Sequence, residues 1–305
     1  MNFGFLIDKS EVKCQSFSII PNENFDEYIS WFYHNMEVSN GWIYPPFKAL
    51  KHNDEEFKKF KKSAPLVRSN FYSLPCTHIL QTQNFTDEHK RFLILGYGLL
   101  QGLYLNPQNY MYLGKTPYTP STLNGLVLGR DDRVKGLEAI NKFYIDANNV
   151  HEISQMQACI HWFLIAQTLD FEWEIFDAHY KVLDGLYKLY EIIYGKQKQK
   201  RHHERAIIIA NKFKIDLPEW AAEMQVFNEL KKEYVSISKV SLIRNELVHE
   251  AKYAGQPIGY NYPNENFKLQ FKAFNLKLIC AFLGINTPYL QAPANNRMLW
   301  RWNIQ

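Results

Sequence analysis

The chain has 305 residues, of which 46% are hydrophobic and 22% charged, with 35 Lys and Arg against 31 Asp and Glu. That length suggests two domains rather than one, and that balance excludes a disordered or fibrous chain. The four cysteines, Cys14, Cys76, Cys159 and Cys280, form no C-x-x-C pair. Their spacing argues against a disulfide framework and a standard zinc site, so reduced thiols in a cytoplasmic protein are expected.

In chain order, Met1 to Ser10 carries Asp8 and Lys9 and no apolar secretory stretch. Phe3–Ile7 and Phe17–Ile20 read as short strands, and Phe25–Met36 as a short amphipathic helix. Pro45-Pro46, Pro65 and Pro75 punctuate the next stretch, in which Lys58–Lys62 reads as a charged surface helix. Thr86-Asp87-Glu88 offers an N-cap and an acidic first turn for a helix to about Leu105, ended by Asn106-Pro107. Within it Phe92–Leu105 is the longest apolar run. It is interrupted by Gly96, Gly98, Gln101 and Gly102 and is too short to span a membrane, so no membrane partner is expected. Residues 108–128 read as loop with short extended pieces, and Asp131-Asp132 opens a helix to about Ile145. Asn148-Asn149 is the expected domain boundary, which places a mixed α+β domain at 1–148 and a helical bundle at 149–305.

Beyond residue 150 a 3.6-residue period dominates. Ile153, Met156, Ile160, Phe163 and Leu164 form one stripe, and Phe176, Tyr180, Leu183, Tyr187 and Tyr190 a second. Phe267, Phe271, Phe274, Leu278 and Phe282 form a third, stopped by Gly284 as a C′ glycine. Phe227, Leu230, Tyr234 and Ile237 lead into a helix that carries Arg244. The fold class expected is therefore mainly α, with helices joined by short connections. Between the second stripe and this helix, Lys196, Lys198, Lys200, Arg201 and Arg205 stand against Glu204 alone, with His202 and His203 among them. Such a local basic patch fits RNA or another polyanion, and the plain alternative is a solvated segment that touches nothing.

Arg244-Asn245-Glu246-Leu247-Val248-His249 ends the second-to-last long helix, before the breaker-rich Tyr253–Pro257. A guanidinium can grip a phosphate bidentately, and an imidazole can move a proton near neutral pH. A helix C-terminus also favours a protonated His. Together these are the parts that phosphodiester cleavage needs. On a straight helix, Asn245 and His249 stack on one face while Arg244 and His249 lie about 140° apart. The pair can converge if the last turn distorts, if Arg244 reaches around, or if two copies share residues.

An Arg, four to six residues, then a His on the third long helix of a four-helix bundle, with a polar residue directly after the Arg, resembles the signature of HEPN domains. The aromatic helix from Phe171 to Tyr190, the Arg-Asn-x-x-x-His helix, the Gly-Pro loop and a helix ending Ala281-Phe282-Leu283-Gly284 resemble the ApeA-like subgroup. The resemblance covers about residues 150–290, and no motif assigns residues 1–148 a role. It implies a HEPN-type helical bundle and a metal-independent endoribonuclease that works by 2′-hydroxyl attack, without a cofactor. It also implies a homodimer through this domain and a place in phage defence or a stress response, with a regulatory protein as a possible partner. His249 would be general base or acid, Arg244 would stabilise the charged transition state, and Asn245 would orient them. Two alternatives stand beside it: an inactive HEPN-like module that binds protein or RNA, and the toxin of a toxin–antitoxin pair. HEPN toxins can carry a Tyr two residues after the His. Here that position is Ala251, and Tyr253 comes four after.

Other constellations are discounted. His151-Glu152 starts like a zincin helix but lacks the second His, and Cys76-Thr77-His78 has no matching pair nearby, so no metal is expected. His161 and His179 read as core residues, and Glu172 and Glu174 as a helix start. No phosphate-binding glycine loop or nucleophile elbow occurs.

Overall fold

The computed structural model describes residues 1–44, 71–72, 74–108, 112–113, 115–125, 127–195, 201–229, 232–259, 268–295 and 301–305. Pro45-Pro46, Lys58–Lys62, Pro65, Lys196, Lys198, Lys200, Leu230 and Phe267 lie outside the described residues. The chain is mainly α, with eight α-helices among the described residues and small antiparallel sheets. It divides into two compact units, Met1–Glu138 and Ala139–Gln305. The division falls inside a helix that starts after Gly129. Asn148-Asn149 has a different job: the Asn149 side chain accepts the amides of His151 and Glu152 and caps the next helix. Polar pairs that resemble linkers also make good N-caps.

The first unit holds a five-stranded sheet from β1 (Asn2–Gly4), β2 (Val12–Lys13), β3 (Ser18–Pro21), β4 (His78–Gln81) and β5 (Asn106–Pro107). Its spatial order is β2-β3-β4-β1-β5, with every described pairing antiparallel. Helix α1 (Phe25–Asn35) and helix α2 (Asp87–Gln101) belong to this unit. Thr86 caps α2 by accepting the His89 amide, as its sequence position suggests. The helix stops at Gln101, short of the expected Leu105. Gly102 takes a left-handed conformation, φ +63, and an added Cβ there would meet the Asn124 side chain at 2.6 Å. Helix α3 (Arg130–Asp146) opens at the acidic pair Asp131-Asp132.

A partly buried polar network joins these elements. Arg133 on α3 donates to Asp8 Oδ2 at 2.6 Å, and Ser10 donates twice to Asp8 Oδ1. The Asp8 carbonyl meets His78 Nε2 at 3.0 Å, while His78 Nδ1 meets Thr77 Oγ1 at 3.0 Å. Burial holds the His78 imidazole down to about 4, against the partial opposition of Asp8. Burial would raise Asp8, yet the hydrogen bonds from Ser10 and Arg133 outweigh it and leave its carboxyl below the usual range.

The second unit is built from α4 (Val150–Ala166), α5 (Glu172–Tyr194), α6 (His202–Phe213), α7 (Lys239–His249) and α8 (Lys268–Phe282). α5 is the central helix and packs on α4, α6, α7 and α8. The expected stripes face this core: Met156, Ile160, Phe163 and Leu164 on α4, Phe176, Leu183 and Tyr187 on α5, and Phe271, Phe274 and Leu278 on α8 are buried. Each such side chain contributes roughly 1.5–3 kcal/mol by leaving water. Gly185 allows α4 and α5 to approach, since a Cβ there would meet Cys159 Sγ at 2.8 Å. Gly284 ends the last turn at φ +71. His179 is buried between Gln167 and Asn275, which contact its two ring nitrogens. All four cysteines are unpaired.

The stretch that leads into α7 differs from the helical expectation. Met224–Asn228 and Glu233–Ile237 form an antiparallel hairpin in which Phe227 faces Tyr234. Val226, Val235 and the two aromatics favour a pleated surface. Period two and period 3.6 are hard to tell apart over five residues. No helix among the described residues is long and apolar enough to cross a membrane.

Candidate functional site

α7 begins where Ser238 accepts the Ser241 amide at 3.3 Å and shares a hydrogen bond with its hydroxyl at 2.9 Å. Val240 and Ile243 are buried and turn the helix's inner face to the core. Ser241 is buried too, and Arg244 lies one turn further along, so the two share a face. Arg244 and Asn245 are partly buried, whereas His249 is exposed at the C-terminal end.

The angular problem is solved within one chain, by reach. Arg244 Nη1 donates to Asn245 Oδ1 at 3.1 Å and stands 3.4 Å from His249 Nε2. A guanidinium has donors only, so this contact turns the imidazole lone pair toward Arg244. At 3.4 Å the contact is long, and a ligand can displace it at little cost.

Past His249 the chain is held closely. Glu250 closes the helix through the Glu246 carbonyl, and Lys252–Tyr253 pairs with Gln256–Pro257. Tyr253 is buried with its ring edge-on to Phe176 at 5.5 Å, and Glu246 accepts the Gly255 amide at 2.9 Å. Ala251 and Ala254 both take positive φ, +52 and +48, a left-handed conformation that costs a non-glycine residue about 1 kcal/mol or more. The loop is thus a strained hairpin pinned at both ends, and it holds the His249 corner in place.

A second polar group stands beside it. Tyr180 and Asp184 come from α5, and His202 and Arg205 from the first turn of α6. The Tyr180 hydroxyl meets His202 Nδ1 at 2.8 Å, and Arg205 Nη1 donates to Asp184 Oδ1 at 2.8 Å. Burial raises the Tyr180 hydroxyl well above its ordinary range, Asp184 adds to this, and Arg205 and Arg244 oppose it. Burial lowers His202, and Arg205 and Arg244 lower it further against the pull of Asp184.

Of the residues that the sequence marks for RNA, Arg201 is exposed at the start of α6, where its amide donates to Glu204 at 2.7 Å. His203 is buried. Arg205 is paired with Asp184 and lies over the Tyr187 ring at 5.4 Å. His202 and Arg205 therefore turn to the bundle, and Arg201 turns to water. No sequence motif singles out Tyr180 and Asp184 as partners of His202 and Arg205. Tyr180 is readable there only as part of an apolar stripe. Its polar tip and Asp184, four residues on, share a face of α5 and are the available signal.

The charge balance separates the arginines. Arg205 has the Asp184 carboxylate at 2.8 Å. Among the described residues, no carboxylate lies within ion-pair distance of Arg244, and its hydrogen-bond partners are a neutral amide and an imidazole. A half-buried guanidinium without a carboxylate is ready for an anionic ligand. Among the described residues no group of three or more His, Cys, Asp or Glu is arranged to hold a metal ion. No protein-family model, no curated protein and no solved structure matches the chain.

Proposed function

We propose that the Arg244–Asn245–His249 corner binds a phosphodiester of RNA and cleaves it by attack of the neighbouring 2′-hydroxyl, as a HEPN-type endoribonuclease. One observation carries this reading: an arginine without a carboxylate partner among the described residues stands 3.4 Å from an exposed histidine at a helix end. Arg244 turns from His249 onto the phosphate oxygens and stabilises the charge that grows on them in the transition state. Asn245 holds the guanidinium in plane through its amide oxygen. His249, released from Arg244, exchanges a proton with the reacting oxygens. O2′ bonds to phosphorus, the bond from phosphorus to O5′ breaks, and the ends left are a 2′,3′-cyclic phosphate and a 5′-hydroxyl. The pair meets in one chain, so the site does not require residues from a second copy. A homodimer through this unit would carry two such corners.

The test is a single-turnover cleavage assay of the full chain on unstructured RNA in excess EDTA. Cleavage should leave cyclic phosphate ends. It should fall by about 10²- to 10⁴-fold in His249→Ala and by a similar factor in Arg244→Ala. Intact RNA at high enzyme concentration, or equal rates in the variants, sinks the reading.

A further inference from the structure

We infer that His202 is a second proton-transfer residue of the Arg244 site, positioned by Tyr180 and Asp184. The inference rests on the ribonuclease proposal and extends it to residues on two other helices. Arg244 lies on α7 one turn from the buried Ser241, and the Tyr180 hydroxyl on α5 meets His202 Nδ1 on α6 at 2.8 Å. α7 packs directly on both α5 and α6.

The Nδ1 side of the ring is crowded with oxygen. Besides Tyr180, Asp184 Oδ1 lies 3.9 Å from Nδ1. Two oxygens there favour the tautomer with its proton on Nδ1, which leaves the lone pair on Nε2. Among the described residues Nε2 makes no hydrogen bond, and the side chain keeps 35% of its exposure. Asp184 is itself held by Arg205 at 2.8 Å, so the carboxylate orients the ring while its charge is shared. The charged groups that bear on His202 are Arg205 on its own helix, Asp184 on α5 and Arg244 on α7. Burial and the two arginines keep the imidazole neutral at physiological pH, the form that a base requires.

With two histidines the proton traffic balances. The 2′-hydroxyl gives its proton to His202 Nε2 as O2′ bonds to phosphorus. The bond from phosphorus to O5′ breaks, and O5′ takes a proton from His249. Both rings then return to their starting states by exchange with water, and no co-reactant is consumed.

The experiment measures kcat/KM against pH for RNA cleavage by the full chain, by His202→Gln and by Tyr180→Phe. Binding is read separately with an oligonucleotide blocked by a 2′-deoxy sugar at the cleaved position. His202→Gln should lose about 10²- to 10³-fold in rate and lose the acidic limb of the profile, with binding unchanged within about threefold. Tyr180→Phe should lose about tenfold and move the acidic limb, with the same binding. If the parent cleaves, Arg244→Ala does not, and His202→Gln keeps the parent's rate and profile, this inference falls and the ribonuclease proposal stands. If the parent does not cleave RNA, both fall.

Discussion

In Met1–Glu138, Arg133 meets the Asp8 carboxylate at 2.6 Å, and Asp8 also meets a buried His78. In Ala139–Gln305, Arg244 meets an amide and an exposed His249. The residue types are similar, and the surroundings set them apart. The first arginine has a carboxylate, and the first histidine has both ring nitrogens bonded inside the protein. That arrangement holds loop and helix together and leaves nothing to offer a ligand. The second arginine has no carboxylate among the described residues and the second histidine faces water, which contributes little to stability and much to availability. Charge compensation and exposure, rather than residue identity, separate a closed pair from one left open to a ligand.

The widest gap should appear in activity. His249→Ala is expected to cut RNA cleavage by about 10³-fold, with thermal stability within about 0.5 kcal/mol of the parent. A marked loss of stability alongside the lost activity, read by thermal melting, would move His249 into the structural class and break the comparison.

Acid should act on the first constellation. His78 falls from 6.5 unfolded to about 4 folded, so the unfolded chain binds the proton more tightly. Its contribution to stability is therefore full above about pH 6.5 and is lost as pH drops toward 4, by about 3 kcal/mol at about 1.36 per unit. Asp8, lowered in the fold, adds a further loss below about pH 4. Urea unfolding across this range should show the slope, and His78→Gln should remove most of it. A slope that persists in His78→Gln places the acid sensitivity elsewhere.

Removing the arginine of the first constellation should cost about 2 kcal/mol. Arg133→Met leaves a partly buried carboxylate without its partner, and its side chain retains 32% exposure, which discounts the full penalty. The same change at Arg244, Arg244→Met, should cost less than about 0.5 kcal/mol. Equal losses in parallel denaturant melts would erase the distinction between the two arginines.

The smallest effect concerns the strain beside His249. Ala254→Gly relieves a left-handed residue at φ +48 and adds a backbone entropy cost, for a net gain of about 0.5 kcal/mol. A clear destabilisation would show that the alanine methyl packs where only strain is expected.

Much of the helical unit is legible in the sequence. Period alone assigns Met156, Phe163, Phe176, Phe271 and Leu278 to inner faces, and all five are buried. Thr86 caps its helix, and Gly284 ends one, because each local pattern has a single low-energy use. The hairpin before α7 escapes such reading, since strands of five residues are too short to separate a period of two from one of 3.6. Asn149 has the composition of a boundary and serves as a cap, because loops and helix starts draw on the same residues.

The amino-acid sequence alone marks the candidate residues of the second unit, Arg244, Asn245 and His249 on one short helix. It also determined the apolar faces that bury that helix. It left open whether Arg244 and His249 meet, because a helix places them about 140° apart and the answer depends on the path of a long side chain. Only the tertiary structure decided that they meet within one chain, at 3.4 Å. It alone joined Tyr180 and Asp184 to His202, since those contacts cross between helices through packing that no local pattern encodes. And it alone assigned Arg205 to a carboxylate and Arg244 to none among the described residues, which is the difference on which the proposal rests.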